Sequence, residues 1–285
     1  MGEIIWLASY PKSGNTWFRA FLSNLLSEEG DTVDINHLET DGIASNRILF
    51  DEMTGIDSED MTMDEIDALR PEVYEYIAEA LTKTSFVKIH DAYTHLTDGR
   101  PLIPSYKAKA IYIVRNPLDV AVSFSYHNNS SLDKTIDNMA KDDFCFCSRP
   151  IKFHTQLRQK LLSWSGHVDS WFDNNGIPVH VIRYEDMKNK PFETFKKAVE
   201  FIGLLCDDEK IKNALELSQF ERLKAQEEKT GFREKPTNMN AFFREGKTGG
   251  WRDHLSEEQV SRILEKHKRV MKNLGYIDEN NNIVF

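Results

Sequence analysis

Short apolar runs alternate along this chain with longer stretches in which apolar residues recur every three or four positions. That alternation predicts strands interleaved with helices. The run Ile4-Ile5-Trp6-Leu7-Ala8-Ser9 is rich in β-formers and closes at Tyr10-Pro11, so it predicts a buried strand. From Asn15, the positions Trp17, Phe18, Phe21, Leu22, Leu25 and Leu26 keep helical spacing until Gly30. Residues 4 to 27 therefore read as strand, tight loop and helix. Residues 85 to 90 and 110 to 114 predict a second and third strand, and Pro117 opens a helix to about His127. A helix over about 155 to 173, the turn Asn175-Gly176 and a fourth strand over 179 to 183 follow. Three amphipathic helices are marked by Phe192, Phe195, Val199 and Ile202, by Ile211, Leu215 and Leu217, and by Val260, Ile263, Leu264 and Val270.

Strands separated by helices imply an α/β fold, a mostly parallel central sheet flanked by helices, in a single domain over residues 1 to 285. Residues 31 to 70 are acidic and weakly periodic, which predicts surface structure with short helices. Residues 128 to 150 and 225 to 250 lack strong periodicity and predict loops near a ligand.

Charge and cysteine usage narrow the partners. A formal net charge of -10 repels a phosphate backbone, which argues against nucleic acid. Cys145, Cys147 and Cys206 have neither the number nor the spacing of a disulfide framework or a zinc site, so a reducing cytoplasm is expected and no metal. The apolar run from Ile4 is too short for a signal-peptide core or a membrane span, and Trp6 stands where a myristoylation motif wants Ser or Thr. No export, anchor or membrane partner is expected.

Chemistry concentrates in Tyr10-Pro11-Lys12-Ser13-Gly14-Asn15-Thr16-Trp17, between the first strand and its helix. Backbone N–H groups and the helix dipole favour an anion at such a place. Gly14 permits close approach, Ser13 and Thr16 offer hydroxyls, and Lys12 adds a cation. A Walker-type nucleotide loop would put Lys after the second Gly, with a hydroxyl for Mg²⁺, whereas Lys12 precedes Gly14.

This segment resembles the 5′-phosphosulfate loop of the cytosolic sulfotransferase family, whose pattern is Y-P-K-S-G-x-T-W. A second family block, an Arg closing a strand and a Ser eight residues on, is similar to Arg115-Asn116-Pro117-Leu118-Asp119-Val120-Ala121-Val122-Ser123. The resemblance implies that Arg115 and Ser123 hold a 3′-phosphate, with Ser123 also positioning Lys12. A third block, Phe243-Arg244-Glu245-Gly246-Lys247-Thr248-Gly249-Gly250-Trp251, resembles R-K-G-x-x-G-x-W, with Glu245 in place of the family Lys and Gly250 in place of Asp. Weaker matches put Tyr184, Ser218 and Phe220 around an adenine, where an aromatic face stacks on a purine. Lys88-Ile89-His90 resembles the family's K-x-H catalytic strand, and strand alternation sends Lys88 and His90 to one face.

The resemblance spans residues 4 to about 274. It implies a P-loop NTPase-like sulfotransferase fold and transfer of the sulfuryl group of 3′-phosphoadenosine 5′-phosphosulfate (PAPS) to a hydroxyl or amine of a small-molecule acceptor, without metal. The product nucleotide is 3′,5′-adenosine bisphosphate (PAP). The implied catalytic residues are His90 as general base, Lys12, Lys88 and Ser123. The implied donor-binding residues are Lys12, Ser13, Gly14, Asn15, Thr16, Trp17, Arg115, Ser123, Tyr184, Ser218, Phe220, Arg244, Glu245 and Gly246. His37, His95, His127, His154 and the remaining histidines carry no comparable context and read as structural. The competing readings are a nucleotide-dependent kinase, which needs Mg²⁺, and a PAPS-binding scaffold without turnover. The family's dimer motif is not visible after Trp251, so the oligomeric state stays open. Acceptor loops are expected at 31 to 60, 128 to 155 and 225 to 243. The first carries nine acids against Arg47, which favours a cationic or neutral acceptor.

Overall fold

The computed structural model describes residues 2–27, 32–148, 155–174, 176–236 and 239–285. Gly30, His154 and Asn175, and Asp31 of the acidic segment, lie outside the described residues. In chain order the elements are β1 (Ile4–Ser9), α1 (Asn15–Leu26), α2 (Arg47–Thr54), α3 (Met63–Ala80), β2 (Ser85–Ile89), β3 (Ala108–Val114), α4 (Pro117–Asn128) and α5 (Leu132–Ala140). Then come β4 (Cys145–Phe146), β5 (Gln159–Lys160), α6 (Trp164–Phe172), β6 (Val179–Arg183), α7 (Tyr184–Asn189), α8 (Pro191–Ile202), α9 (Asp208–Leu217), α10 (Phe220–Thr230) and α11 (Glu257–Asn273). The central sheet runs β2-β1-β3-β6, with β1 and β2 parallel, and β4 pairs antiparallel with β5.

The chain divides into two compact units. One comprises Met1–Tyr10, Asp41–Tyr112 and Lys141–Val181, and the other Pro11–Thr40, Ile113–Ala140 and Ile182–Phe285. In the first unit every residue of β1 is buried, as its continuous apolar run requires. Phe50, Ile66, Val73 and Leu157 form a core cluster there, joined by Met61, Leu69 and Ile77. In the second unit the ring of Phe195 stacks on Phe18 at 5.5 Å and meets Phe21 at 4.5 Å. A further cluster unites Ala20, Ile35, Leu38, Leu223, Phe232 and Phe243. Among the described residues no helix is long and apolar enough to cross a membrane, and the three cysteines form no disulfide.

Several sequence expectations change. The acidic stretch holds more regular structure than short surface helices: α3 starts at a capping box of Thr62 and Glu65 and continues through Pro71 to Ala80. A helix-interior proline costs about 3 kcal/mol, but Ile66, Val73, Tyr74 and Ala78 are buried along this helix, which offsets it. Four acids of segment 31–60 accept hydrogen bonds from within the protein. Asp34 accepts from Asn36 N–H, Asp51 from Ser58 N–H, Asp57 from Glu59 N–H, and Asp41 from Ser85 Oγ and Phe86 N–H. The helix expected from about residue 155 begins only at Trp164, where Ser163 caps it through Gly166 N–H. Before that cap, Leu157 N–H donates to Ser45 and Gln159–Lys160 pair as a strand. The loops expected at 128 to 150 and 225 to 250 contain α5 and much of α10, whose buried faces are narrow: Thr135, Ile136 and Met139 in one, Leu223 and Glu227 in the other.

Candidate active site

The loop after β1 takes a conformation that the sequence does not announce. Lys12 has φ 70° and Gly14 φ 106°. The left-handed region costs a non-glycine residue roughly 1 kcal/mol or more, and such outliers cluster at functional sites. Glycine is required at 14 for a second reason, since a Cβ there would lie 2.6 Å from Tyr184 Cδ2. Gly14 caps the 12-residue α1 without a side chain, and its carbonyl accepts from Trp17 and Phe18 N–H.

Tyr184, buried at the start of α7, organises the second unit's cluster. Its ring packs on Gly14, meets Trp17 edge-on at 5.9 Å and lies under the Arg115 guanidinium at 4.4 Å. Burial pushes its phenol above the usual range, so it stays neutral. Arg115 follows β3 directly and donates to the carbonyls of Lys12 (3.2 Å) and Lys247 (2.8 Å). Ser123 lies about two turns into α4, as its spacing from Arg115 predicts. Lys12 Nζ sits 4.0 Å from the centre of the Phe242 ring. Among the described residues, Ser13 Oγ, Trp17 Nε1 and Arg115 Nε are buried here and find no hydrogen-bond partner.

The third block is also in this unit. Gly246, at φ 60°, packs against the Phe220 ring, where a Cβ would approach to 2.5 Å. The Arg244 guanidinium stacks 3.9 Å from the Tyr126 ring and pairs with Glu245 at 3.1 Å. Glu245 also lies 3.8 Å from His254 Nε2. Ser218 is buried and donates to the Leu215 carbonyl, within its own helix end. Asn15 and Thr16 are buried in the first turn of α1.

Lys88 and His90 belong to the first unit. Lys88 is a half-buried residue of β2, and His90 is the first residue beyond it. His90 Nδ1 lies 2.7 Å from the Ser9 carbonyl and 3.4 Å from Ser9 Oγ. A carbonyl can only accept, so Nδ1 carries the proton and Nε2 of the neutral ring keeps its lone pair. That is the tautomer a general base needs. Among the described residues no cluster of His, Cys, Asp or Glu is placed to hold a metal.

The family model described as the sulfotransferase domain matches residues 3–275. This chain belongs to that family. It is 27% identical over 274 residues to cytosolic sulfotransferase 1 of Arabidopsis thaliana, covering 90% of this chain and 75% of that protein. It is 26% identical over 288 residues to the luciferin sulfotransferase of Photinus pyralis, covering 96% and 73%. A mouse sulfotransferase solved with PAP superposes with TM-score 0.61 at 23% identity, over 97% of this chain and 89% of that one. The structural likeness bears on the fold.

This sulfotransferase also relies on residues its motifs do not single out. Asp119, 3% exposed, accepts from Gly249 N–H (2.8 Å) and Trp251 N–H (3.1 Å), tying α4 to the third block. In the sequence it reads as an ordinary acid in a helix's first turn. Glu185 accepts from Asn116 N–H and Tyr276 hydroxyl, and its burial pushes the carboxyl above its usual range. Glu227 accepts from Phe242 and Phe243 N–H, anchoring the segment that leads into Arg244.

Proposed function

We propose that this chain moves the sulfuryl group of PAPS onto a hydroxyl or amine of a small-molecule acceptor, with His90 as the general base. The observation that carries the reading is the set of three unpartnered buried donors, Ser13 Oγ, Trp17 Nε1 and Arg115 Nε, linked through Tyr184 and the Lys12 carbonyl around one strand–loop–helix. Leaving such groups dry costs about 1–3 kcal/mol each, and an anionic nucleotide satisfies them. PAPS supplies the sulfuryl group and departs as PAP.

In this reading the loop from Lys12 to Trp17 binds the 5′-phosphosulfate, Arg115, Ser123 and Arg244 bind the 3′-phosphate, and Gly246 gives the backbone close approach. Tyr184, Ser218 and Phe220 surround the adenine. Glu245 belongs to the block without supplying a cation. His90 Nε2 takes the acceptor's proton. Lys12 and Lys88 offset charge that develops as the acceptor attacks, the electrostatic help that is commonly the largest contribution to catalysis. A single catalytic domain fits the family match over residues 3–275. A small-molecule acceptor fits a relative named for luciferin, and a cytoplasmic location fits one named as cytosolic.

The test is incubation of the purified chain with sulfur-labelled PAPS and a panel of hydroxyl and amine acceptors. Parallel reactions contain adenosine 5′-phosphosulfate, which lacks the 3′-phosphate, or γ-labelled ATP with Mg²⁺. Label passing to an acceptor from PAPS, and much less from adenosine 5′-phosphosulfate, is expected. Transfer from ATP alone would replace this reading with a kinase.

A further inference from the structure

Helix α6 presents three side chains, His167, Ser170 and Trp171, at i, i+3 and i+4 spacing, and each meets the segment that carries His90. His167 Nε2 lies 3.1 Å from the His90 carbonyl, Trp171 Nε1 donates to the Asp91 carbonyl at 3.1 Å, and Ser170 Oγ accepts from Tyr93 N–H at 3.0 Å. The Asp91 carboxylate is gripped from the other side by Arg70 and by Lys160 N–H. All of these groups lie within the first unit.

The protons along this path are fixed by what each acceptor allows. The His90 carbonyl only accepts, so His167 must carry its proton on Nε2. Its Nδ1 then keeps a lone pair and accepts from the Tyr112 hydroxyl at 2.8 Å. Tyr112 stacks on the same imidazole, and Tyr10 meets it edge-on. Burial pushes the His167 pKa down to about 4 and holds the Tyr112 phenol well above its ordinary value, so both stay neutral around pH 7. The result is one ordered run of donors, from Tyr112 to His167, from His167 to the His90 carbonyl, and from His90 Nδ1 to the Ser9 carbonyl.

We infer that His167, oriented by Tyr112, is a positioning residue that fixes the backbone of His90 and thereby the tautomer that leaves Nε2 as base. The inference rests on the assignment of His90 as general base. A side chain held in a single tautomer by a carbonyl on another strand, here that of Ser9, depends on where its own backbone sits, and misplacement of about 1 Å costs roughly a hundredfold in rate. A structural role alone would lower stability when His167 is replaced and would leave the base intact.

Imidazole ¹⁵N–¹H correlation spectra and steady-state kinetics on the full chain test this with His167→Leu and His167→Gln. In the unmodified chain His90 should show the Nδ1–H tautomer and His167 the Nε2–H tautomer. His167→Leu should mix the tautomers of His90 and lower kcat by about tenfold to a hundredfold, with the KM for the donor within about twofold. His167→Gln, whose amide N–H falls near the lost Nε2–H, should recover most of kcat. Tyr112→Phe, which keeps the ring, serves if His167→Leu does not fold, and should lower kcat several-fold while loosening the His167 tautomer. Unchanged kcat and an unchanged His90 tautomer in His167→Leu, or in Tyr112→Phe where that variant stands in, would overturn the inference. So would a Gln variant as impaired as Leu at equal thermal stability. His90→Ala run in parallel separates the two ideas: full turnover there removes the base assignment, while the tautomer spectra still report on the contact.

Discussion

Around His90, the proposed base, the chain supplies partners of its own: Ser9 carbonyl for Nδ1, His167 for the backbone carbonyl, Arg70 for the neighbouring Asp91. Along the loop after β1, Ser13 Oγ, Trp17 Nε1 and Arg115 Nε are buried without a partner among the described residues. The contrast separates two kinds of preorganisation. His90, the proposed base, is held by hydrogen bonds internal to the protein. The proposed donor loop is held instead by packing and backbone contacts, Tyr184 on Gly14 and Arg115 on the Lys12 carbonyl, which in the proposed function leave side-chain donors for an anion to satisfy.

That contrast predicts a division of labour between turnover and binding. The largest effect belongs to His90→Ala, which should lower turnover of a hydroxyl acceptor by roughly two to four orders of magnitude, while the Kd for PAP changes little. Steady-state kinetics and calorimetry on the same preparation read both quantities. Near-native turnover in a folded variant would remove the base from the account.

Next is the stability of the chain against acid. His167 has a folded-state pKa of about 4 against an ordinary 6.5, so below 6.5 the unfolded chain binds a proton that the folded chain refuses. Stability attributable to this group is complete above 6.5 and falls as pH drops towards 4, by about 3 kcal/mol in total. Glu185 works in the opposite sense, since its raised folded pKa weakens the fold as pH rises above the ordinary carboxyl value. Urea unfolding of the native chain and His167→Gln at pH 7 and pH 4.5 isolates the histidine. The native chain should lose about 2–3 kcal/mol more than the variant over that interval, and parallel losses would show that His167 is not buried neutral.

Arg115→Ala and Arg244→Ala test the other side of the contrast. Charge-assisted hydrogen bonds are worth about 1.5–3 kcal/mol, so each variant should weaken PAP binding roughly tenfold to a hundredfold, with little change in kcat at saturating PAPS. A matching loss of kcat would place these arginines near the reacting atoms instead. The smallest effect is expected of Glu245→Lys. The Glu245 carboxylate pairs with Arg244 and faces His254, so in the proposed site it would compete with an incoming phosphate. Its replacement should tighten PAP binding by a few-fold at low salt, an exposed-pair effect on the order of 1 kcal/mol. Unchanged affinity would show that Arg244 meets its ligand without yielding Glu245.

Where the proposed nucleotide-binding residues sit in the fold was largely legible in the chain itself. Tyr10 to Trp17 between a strand and a helix, and Arg115 with Ser123 two turns on, sit where their spacing predicts, because strand ends and helix periods convert directly into position. The His90 support was not legible. Its parts come from β3 and α6, 55 residues apart between Tyr112 and His167, and only tertiary packing turns an ordinary buried histidine into a donor for one carbonyl. Asp119 and Glu227 escaped notice for the same reason, since a buried acid that accepts two backbone N–H groups looks in sequence like a solvated one. The helix α5 and the late start of α6 were hidden by narrow apolar faces and by a Ser163 cap that follows, rather than precedes, apolar residues.

The most direct test of the central claim is the melting temperature of the full chain with PAP, with AMP, and with ATP plus Mg²⁺ at equal concentration. A ligand at about a hundred times its Kd stabilises the folded state by about 2.7 kcal/mol, which for a chain of this size raises the melting temperature by about 5 °C. The account predicts such a rise with PAP and a much smaller one with AMP or ATP plus Mg²⁺. A shift with ATP and Mg²⁺ and none with PAP would contradict it.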